Sequence, residues 1–211
     1  VTIPKTIDND VWGTETSFGF DTAVTIATEA IDRLHSTSSA HQRVMVIEVM
    51  GDKAGWIALH SGMAGGGDII LIPELEYNIH NIGNTIIERL KKGKTYSIVV
   101  VAEGIKTIDG KKAAEYIAQE IEYETGFETR ETVLGYIQRG GTPTAFDRNL
   151  ATRMGGYATE MIATGQFGRM VALRNDKITS IPLEEVAGKV KLVNEKHDLI
   201  IQGKRMGICF G

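Results

Sequence analysis

The sequence predicts an α/β protein: a mostly parallel sheet in Rossmann-like layers, with helices on both faces. Three observations carry this. Short runs rich in β-branched residues, such as 43–50 (RVMVIEVM) and 97–102 (SIVVVA), have the length and composition of strands buried on both sides. Longer stretches between them space their apolar residues three and four apart, as amphipathic helices do. The two kinds alternate with short connections, and parallel neighbours need crossover segments of that kind.

In order, Val1–Pro4 reads as the end of a buried strand running into a polar turn, Pro4–Asp10. Natural chains seldom open on such a turn, so a preceding region is expected. Thr16–His35 sets Phe20, Val24, Ala27, Ile31 and Leu34 along one helical stripe. A strand at Arg43–Met50, a helix at Ala54–Ala64, a strand at Asp68–Pro73 and a helix at Asn81–Lys92 follow. Then come a strand at Ser97–Ala102, a helix at Lys111–Glu124 and a strand at Thr129–Tyr136. Residues 140–148 form a loop entering a helix that runs to Ala163. Arg169–Arg174 and Lys177–Pro182 read as a hairpin at a sheet edge, and Glu184–Gly211 as a helix, a polar link and a last helix. Gly65-Gly66-Gly67 follows a helix and precedes a strand, the reverse of a phosphate loop, so it reads as a helix stop.

At 211 residues the chain can form one large or two small domains with a substantial core. With 42% hydrophobic and 24% charged residues it fits an ordinary soluble globular protein. A net charge of -4 offers no bulk attraction to nucleic acid or anionic membrane, so neither is expected as a partner and substrates should be small. No apolar run approaches the roughly 18 residues of a membrane span, and the start lacks a signal-peptide layout, so a cytoplasmic location is expected. Cys209 alone cannot form an internal disulfide, and no zinc spacing is present.

In a sheet of this kind ligands sit beyond the carboxyl ends of the strands. Asp8, Gly51, Glu103, Tyr136 and Arg139 all follow a predicted strand. Asp8 and Asp10, two residues apart in one turn, suit a general base and a metal-linked carboxylate respectively. Arg43, Arg130 and Arg139 supply planar donors that match phosphate bidentately. One base with several phosphate clamps is the equipment of phosphoryl transfer to an alcohol, which needs positioning, charge neutralisation and a place for the hydroxyl proton.

Five blocks in order, PKTIDND, SSAHQRVMVIEVMG, VVAEG, ETRETVLGYIQRGG and PTAFDRNLATRMG, make the chain resemble the 6-phosphofructokinases over nearly its whole length. The resemblance implies transfer from ATP or pyrophosphate, with Mg2+, to the 1-hydroxyl of fructose 6-phosphate. It implies that residues 1–15 close a donor-binding domain and carry the catalytic turn. Residues 16–211 then form the substrate-binding domain, with a C-terminal segment packing back on the donor domain. By the same resemblance Asp8 is the general base, Asp10 the second carboxylate near metal and donor, and Thr6 a residue holding the reacting groups. Arg43 and Arg130 would reach the sugar 6-phosphate of a neighbouring subunit in a homo-oligomer with shared sites. Arg139 would bind phosphate within the subunit, Glu103 the sugar hydroxyls, and Met50 and Gly51 would line the sugar. Tyr136 stands where many relatives have His, and either can donate to phosphate.

Three departures from the family pattern bear on function. Lys5 replaces a Gly of the bacterial ATP enzymes and leans the donor toward pyrophosphate, with ATP still open. Asp52 stands where many relatives place Arg, which keeps alive an alternative: a non-catalytic sugar-phosphate-binding subunit. His35 replaces an effector-binding Arg, beside Lys92 and Lys94, which implies weakened effector control.

Overall fold

The computed structural model describes residues 1–108 and 110–211. Its main sheet has four parallel strands: β1 (Val44–Val49), β2 (Ile69–Leu71), β3 (Ser97–Ala102) and β4 (Thr129–Val133), in the order β2-β3-β1-β4. All six residues of β1 and all six of β3 are buried, as their β-branched runs require. Helices α1 (Phe20–His41) and α2 (Trp56–Ala64) pack together on one face; α3 (Ile79–Lys91) and α4 (Ala113–Thr125) cover the other. The chain leaves β1 for α2 on one face and β3 for α4 on the opposite face. Between these neighbouring strands the connections therefore diverge, and a crevice opens at their carboxyl ends.

Beyond β4 a 3-10 helix, Gly135–Arg139, ends what the sequence suggests as a strand to Tyr136. The following helix α5 (Ala145–Ala163) packs Leu150, Met154, Ala158 and Met161 against Val171 and Leu173 of a hairpin, β5 (Arg169–Arg174) and β6 (Lys177–Pro182). The hairpin bounds match the sequence reading, but it is a separate two-stranded sheet rather than an edge of the main one. Val1–Pro4 is likewise no buried strand. Thr2 is exposed and makes a single parallel bridge to Met170 of β5, with bonds of 3.1 and 2.9 Å. Too few backbone groups of this segment find partners to make a ladder.

The C-terminal reading needs two corrections. The first helix there, α6, is only Leu183–Val186, and the last, α7 (Asp198–Met206), stops at Gly207 in the left-handed conformation. Cys209 then pairs beside β2, donating to the Asp68 carbonyl (3.1 Å) and accepting from Ile70 N–H (2.9 Å). Trp56 packs at the start of α2, and Gly65 ends that helix, both as expected.

Candidate functional site

The crevice is built from the ends of β1 and β3. Register aligns Val49 with Ala102, so Met50-Gly51 and Glu103 emerge side by side. One carboxylate oxygen of Glu103 accepts from Gly51 N–H (3.1 Å) and Asp52 N–H (2.9 Å), which folds the loop after β1 over the strand ends. Gly51 sits at φ 154°, and a Cβ there would lie 2.4 Å from the Ala54 carbonyl oxygen, so no other residue fits without moving the loop. Asp52 is left-handed at φ 50°, a conformation that Asp tolerates better than most side chains. Met50 N–H donates to Gln138 Oε1 (3.3 Å), and Gln138, 1% exposed, returns a bond to Gly135, tying the 3-10 helix to this loop.

Opposite stands the turn 6–10. Thr6 Oγ1 donates to Asp8 Oδ2 and accepts from Asp8 N–H, both at 3.1 Å. Asp8 Oδ1 is buried and makes no hydrogen bond within the chain. Burial raises the Asp8 carboxyl above its ordinary value; Thr6 opposes that rise, Asp10 and Glu103 add to it, and Arg139 opposes it. One oxygen is thus held, and the other is left free to receive a proton. Arg139 lines a cavity of about 270 Å3 with Ile7, Gly19, Gln138 and Asp147, and its guanidinium lies 5.0 Å from the centre of the exposed Tyr136 ring.

Thr6, Asp8, Asp10, Met50, Gly51, Glu103, Tyr136 and Arg139 therefore gather at one end of the sheet. Lys5 is exposed on the same turn, its backbone bridged to Phe18. Arg43 and Arg130 stand elsewhere, at the amino ends of β1 and β4, both facing Glu128. Arg130 Nη2 bonds Oε1 at 2.6 Å, while Arg43 Nε lies 2.8 Å from Oε2 but off hydrogen-bond alignment, so charge alone holds it. His35 bonds the Gly65 carbonyl through Nε2 (2.7 Å) and Tyr96 Oη through Nδ1 (3.2 Å). A carbonyl only accepts, so Nε2 carries the proton.

Several residues that shape the site escape a reading by sequence. Asn9, between the two carboxylates, is buried at φ 54° and accepts from Ser17 N–H (3.1 Å) and Lys191 Nζ (2.7 Å). Asp147 of α5 caps α1 from outside, accepting from Gly19 N–H, Thr22 N–H (2.8 Å each) and Thr22 Oγ1 (2.5 Å). Beside them Trp56, His60, Lys191 and His197 line a second cavity of about 480 Å3. Burial lowers His60 to about 4, with His197 and Lys191 adding to the effect; burial lowers Lys191 to about 8 against the pull of Asp10 and Glu15. Asn9 and Asp147 are polar residues inside two of the five blocks, but nothing local in the sequence marks their partners, and Trp56, His60, Lys191 and His197 lie outside those blocks.

Fold and crevice together define a Rossmann-like α/β protein with a partly desolvated carboxylate where its sheet connections diverge. A family model described as phosphofructokinase matches residues 1–162, and the chain belongs to that family. It is 80% identical over its whole length to "ATP-dependent 6-phosphofructokinase 3" of Bacteroides thetaiotaomicron, covering 63% of that protein. It is 49% identical to the "Pyrophosphate--fructose 6-phosphate 1-phosphotransferase" of Streptomyces coelicolor over 92% of this chain and 61% of that one. The crystal structure of a pyrophosphate-dependent phosphofructokinase from Marinobacter aquaeolei superposes with a TM-score of 0.82 at 25% identity, over 99% of this chain and 56% of that one. The chain thus spans less than two thirds of the length of these relatives.

Proposed function

We propose that this chain is the sugar-phosphate-binding portion of a 6-phosphofructokinase that transfers a phosphoryl group to the 1-hydroxyl of fructose 6-phosphate. The observation that carries this is the Asp8 carboxylate, with Oδ2 engaged by Thr6 and Oδ1 buried without a partner. Oδ1 takes the hydroxyl proton as the alcohol oxygen attacks. Desolvation makes that carboxylate a stronger base than one in water, which suits it to the step. Glu103 holds the Gly51-Asp52 loop against the sugar, and Arg139 offsets the negative charge that gathers between Asp8, Asp10 and an incoming phosphate.

Mg2+ fits this reading through its chemistry. It usually binds one or two carboxylates plus substrate phosphates and water, rather than a cage of protein ligands. Among the described residues no group of three or more His, Cys, Asp or Glu could hold a metal alone. Asp10 would meet the ion, directly or through water, and the metal would neutralise charge on the donor phosphates.

The name of the relative at 80% identity favours ATP as donor, whereas Lys5, exposed beside the base, favours pyrophosphate. Arg43 and Arg130, paired with Glu128 at the amino ends of their strands and away from this chain's own crevice, would serve the sugar 6-phosphate of a neighbouring copy. That placement supports shared sites in a homo-oligomer. The test is formation of fructose 1,6-bisphosphate by the protein at the full length of its relatives, with Mg2+ and ATP or pyrophosphate as sole donor. Turnover with either supports the reading. Tight sugar binding without turnover on both would favour the regulatory subunit and single out Asp52.

A further inference from the structure

A segment far along the chain crosses the catalytic turn. Val190 bridges Val11 in antiparallel fashion, and Lys191 N–H donates to the Asp10 carbonyl at 2.7 Å. The Lys191 ammonium donates to Asn9 Oδ1 (2.7 Å), the Glu15 carbonyl (2.9 Å) and the Thr14 carbonyl (3.0 Å). Its three N–H bonds are all matched, so it cannot clamp a phosphate without giving up one of them. On its other side the same segment grips the start of α2. Trp56 Nε1 donates to the Lys191 carbonyl at 2.7 Å, and the Lys191 ammonium lies 5.2 Å from the Trp56 ring centre. Glu74 Oε1 accepts from both Val193 N–H (2.9 Å) and Gly55 N–H (3.0 Å).

Gly55 and Trp56 close the loop that begins at Met50-Gly51, and Asn9 separates Asp8 from Asp10. We infer that Lys191 is a positioning residue of the phosphoryl-transfer site: it sets the Asp8-Asn9-Asp10 turn and the sugar loop in one register. The inference rests on the function proposed above. Asn9 shows why such a staple matters. It is buried and left-handed between the two carboxylates, and its Oδ1 accepts from both Ser17 N–H and Lys191 Nζ, so the backbone that carries both carboxylates is tied to two other segments. Proton and phosphoryl transfer fall off steeply when reacting groups shift by an ångström, while substrate binding is more forgiving.

The test compares wild type, Lys191→Met, Asn9→Ala and the double variant at the full length of the relatives, on fructose 6-phosphate with the donor that supports turnover. Lys191→Met should lower kcat about 30- to 100-fold, with the sugar KM within about threefold. Because the Lys191–Asn9 bond is lost in both single variants, the loss in the double variant should fall well short of the product of the single losses. A kcat within about threefold of wild type overturns the inference, as do single effects that multiply in the double variant or a parallel rise in KM. Should Lys191→Met fail to fold, Asn9→Ala carries the same expectation, since Lys191 keeps both its carbonyl partners there; an unchanged kcat then overturns it. Wild type inactive with either donor overturns the functional reading and this inference with it. Active wild type with an unaffected Lys191→Met removes the inference alone.

Discussion

At Asp8 the desolvation that suits the proposed base also couples its proton to the stability of the fold. Its folded pKa is raised, so the folded state holds that proton more tightly than the unfolded chain does. The stability this contributes is present below the ordinary carboxylate value and lost as pH rises through the folded one, so at neutral pH the ionised Asp8 is a cost. Asp8→Asn should therefore raise the melting temperature at pH 7 while lowering kcat about 10²- to 10⁴-fold and sparing sugar binding; calorimetry and a progress curve check both halves. His60 works in the opposite direction. Its pKa falls from 6.5 to about 4, so its contribution to stability is present above 6.5 and fades as pH drops toward 4. Between pH 7 and pH 5 the protein should lose about 1–2 kcal/mol through this group, and His60→Gln should flatten that dependence in denaturant titrations. The acid–base candidates were legible because Asp8 and Asp10 fall in one short motif. The burial and the Thr6 bond that tune Asp8 were not, since they depend on how the turn sits against the sheet.

At the scale of elements, the loop after β1 and the cap on α1 are the weak joints. Gly51→Ala would press a methyl into the Ala54 carbonyl, at a cost of roughly 2 kcal/mol or a displaced loop, read as a raised KM for the sugar. Asp147→Ala would orphan two backbone N–H groups at the start of α1 and the Thr22 hydroxyl, costing about 2–4 kcal/mol in chemical denaturation. The buried strands and the hairpin were legible because each carries its own local signal: runs such as 97–102, and two short strands around Asn175-Asp176. Misreadings cluster where context decides. Val1–Pro4 has strand residues but only one bridge partner, and Tyr136 looks like a strand residue until Gly135, at φ 52°, starts the 3-10 helix. Asp147 sits in a quoted motif, yet its task depends on a helix start 128 residues earlier.

For the molecule as a whole, the separation of Arg43 and Arg130 from Asp8 makes a sharp expectation. Asp8→Asn subunits mixed with Arg130→Ala subunits under exchange conditions should regain activity that neither has alone; no recovery would mean that each chain completes its own site. Sequence spacing could not show this separation, because the two ends of a parallel strand are only a few residues apart along the chain. The sheet carries one more consequence. Cys209 bridges the outer side of β2 at Ile69, so among the described residues β4 is the more open margin of the main sheet. A second copy that paired there about a two-fold axis would leave no further margin of this sheet open among the described residues.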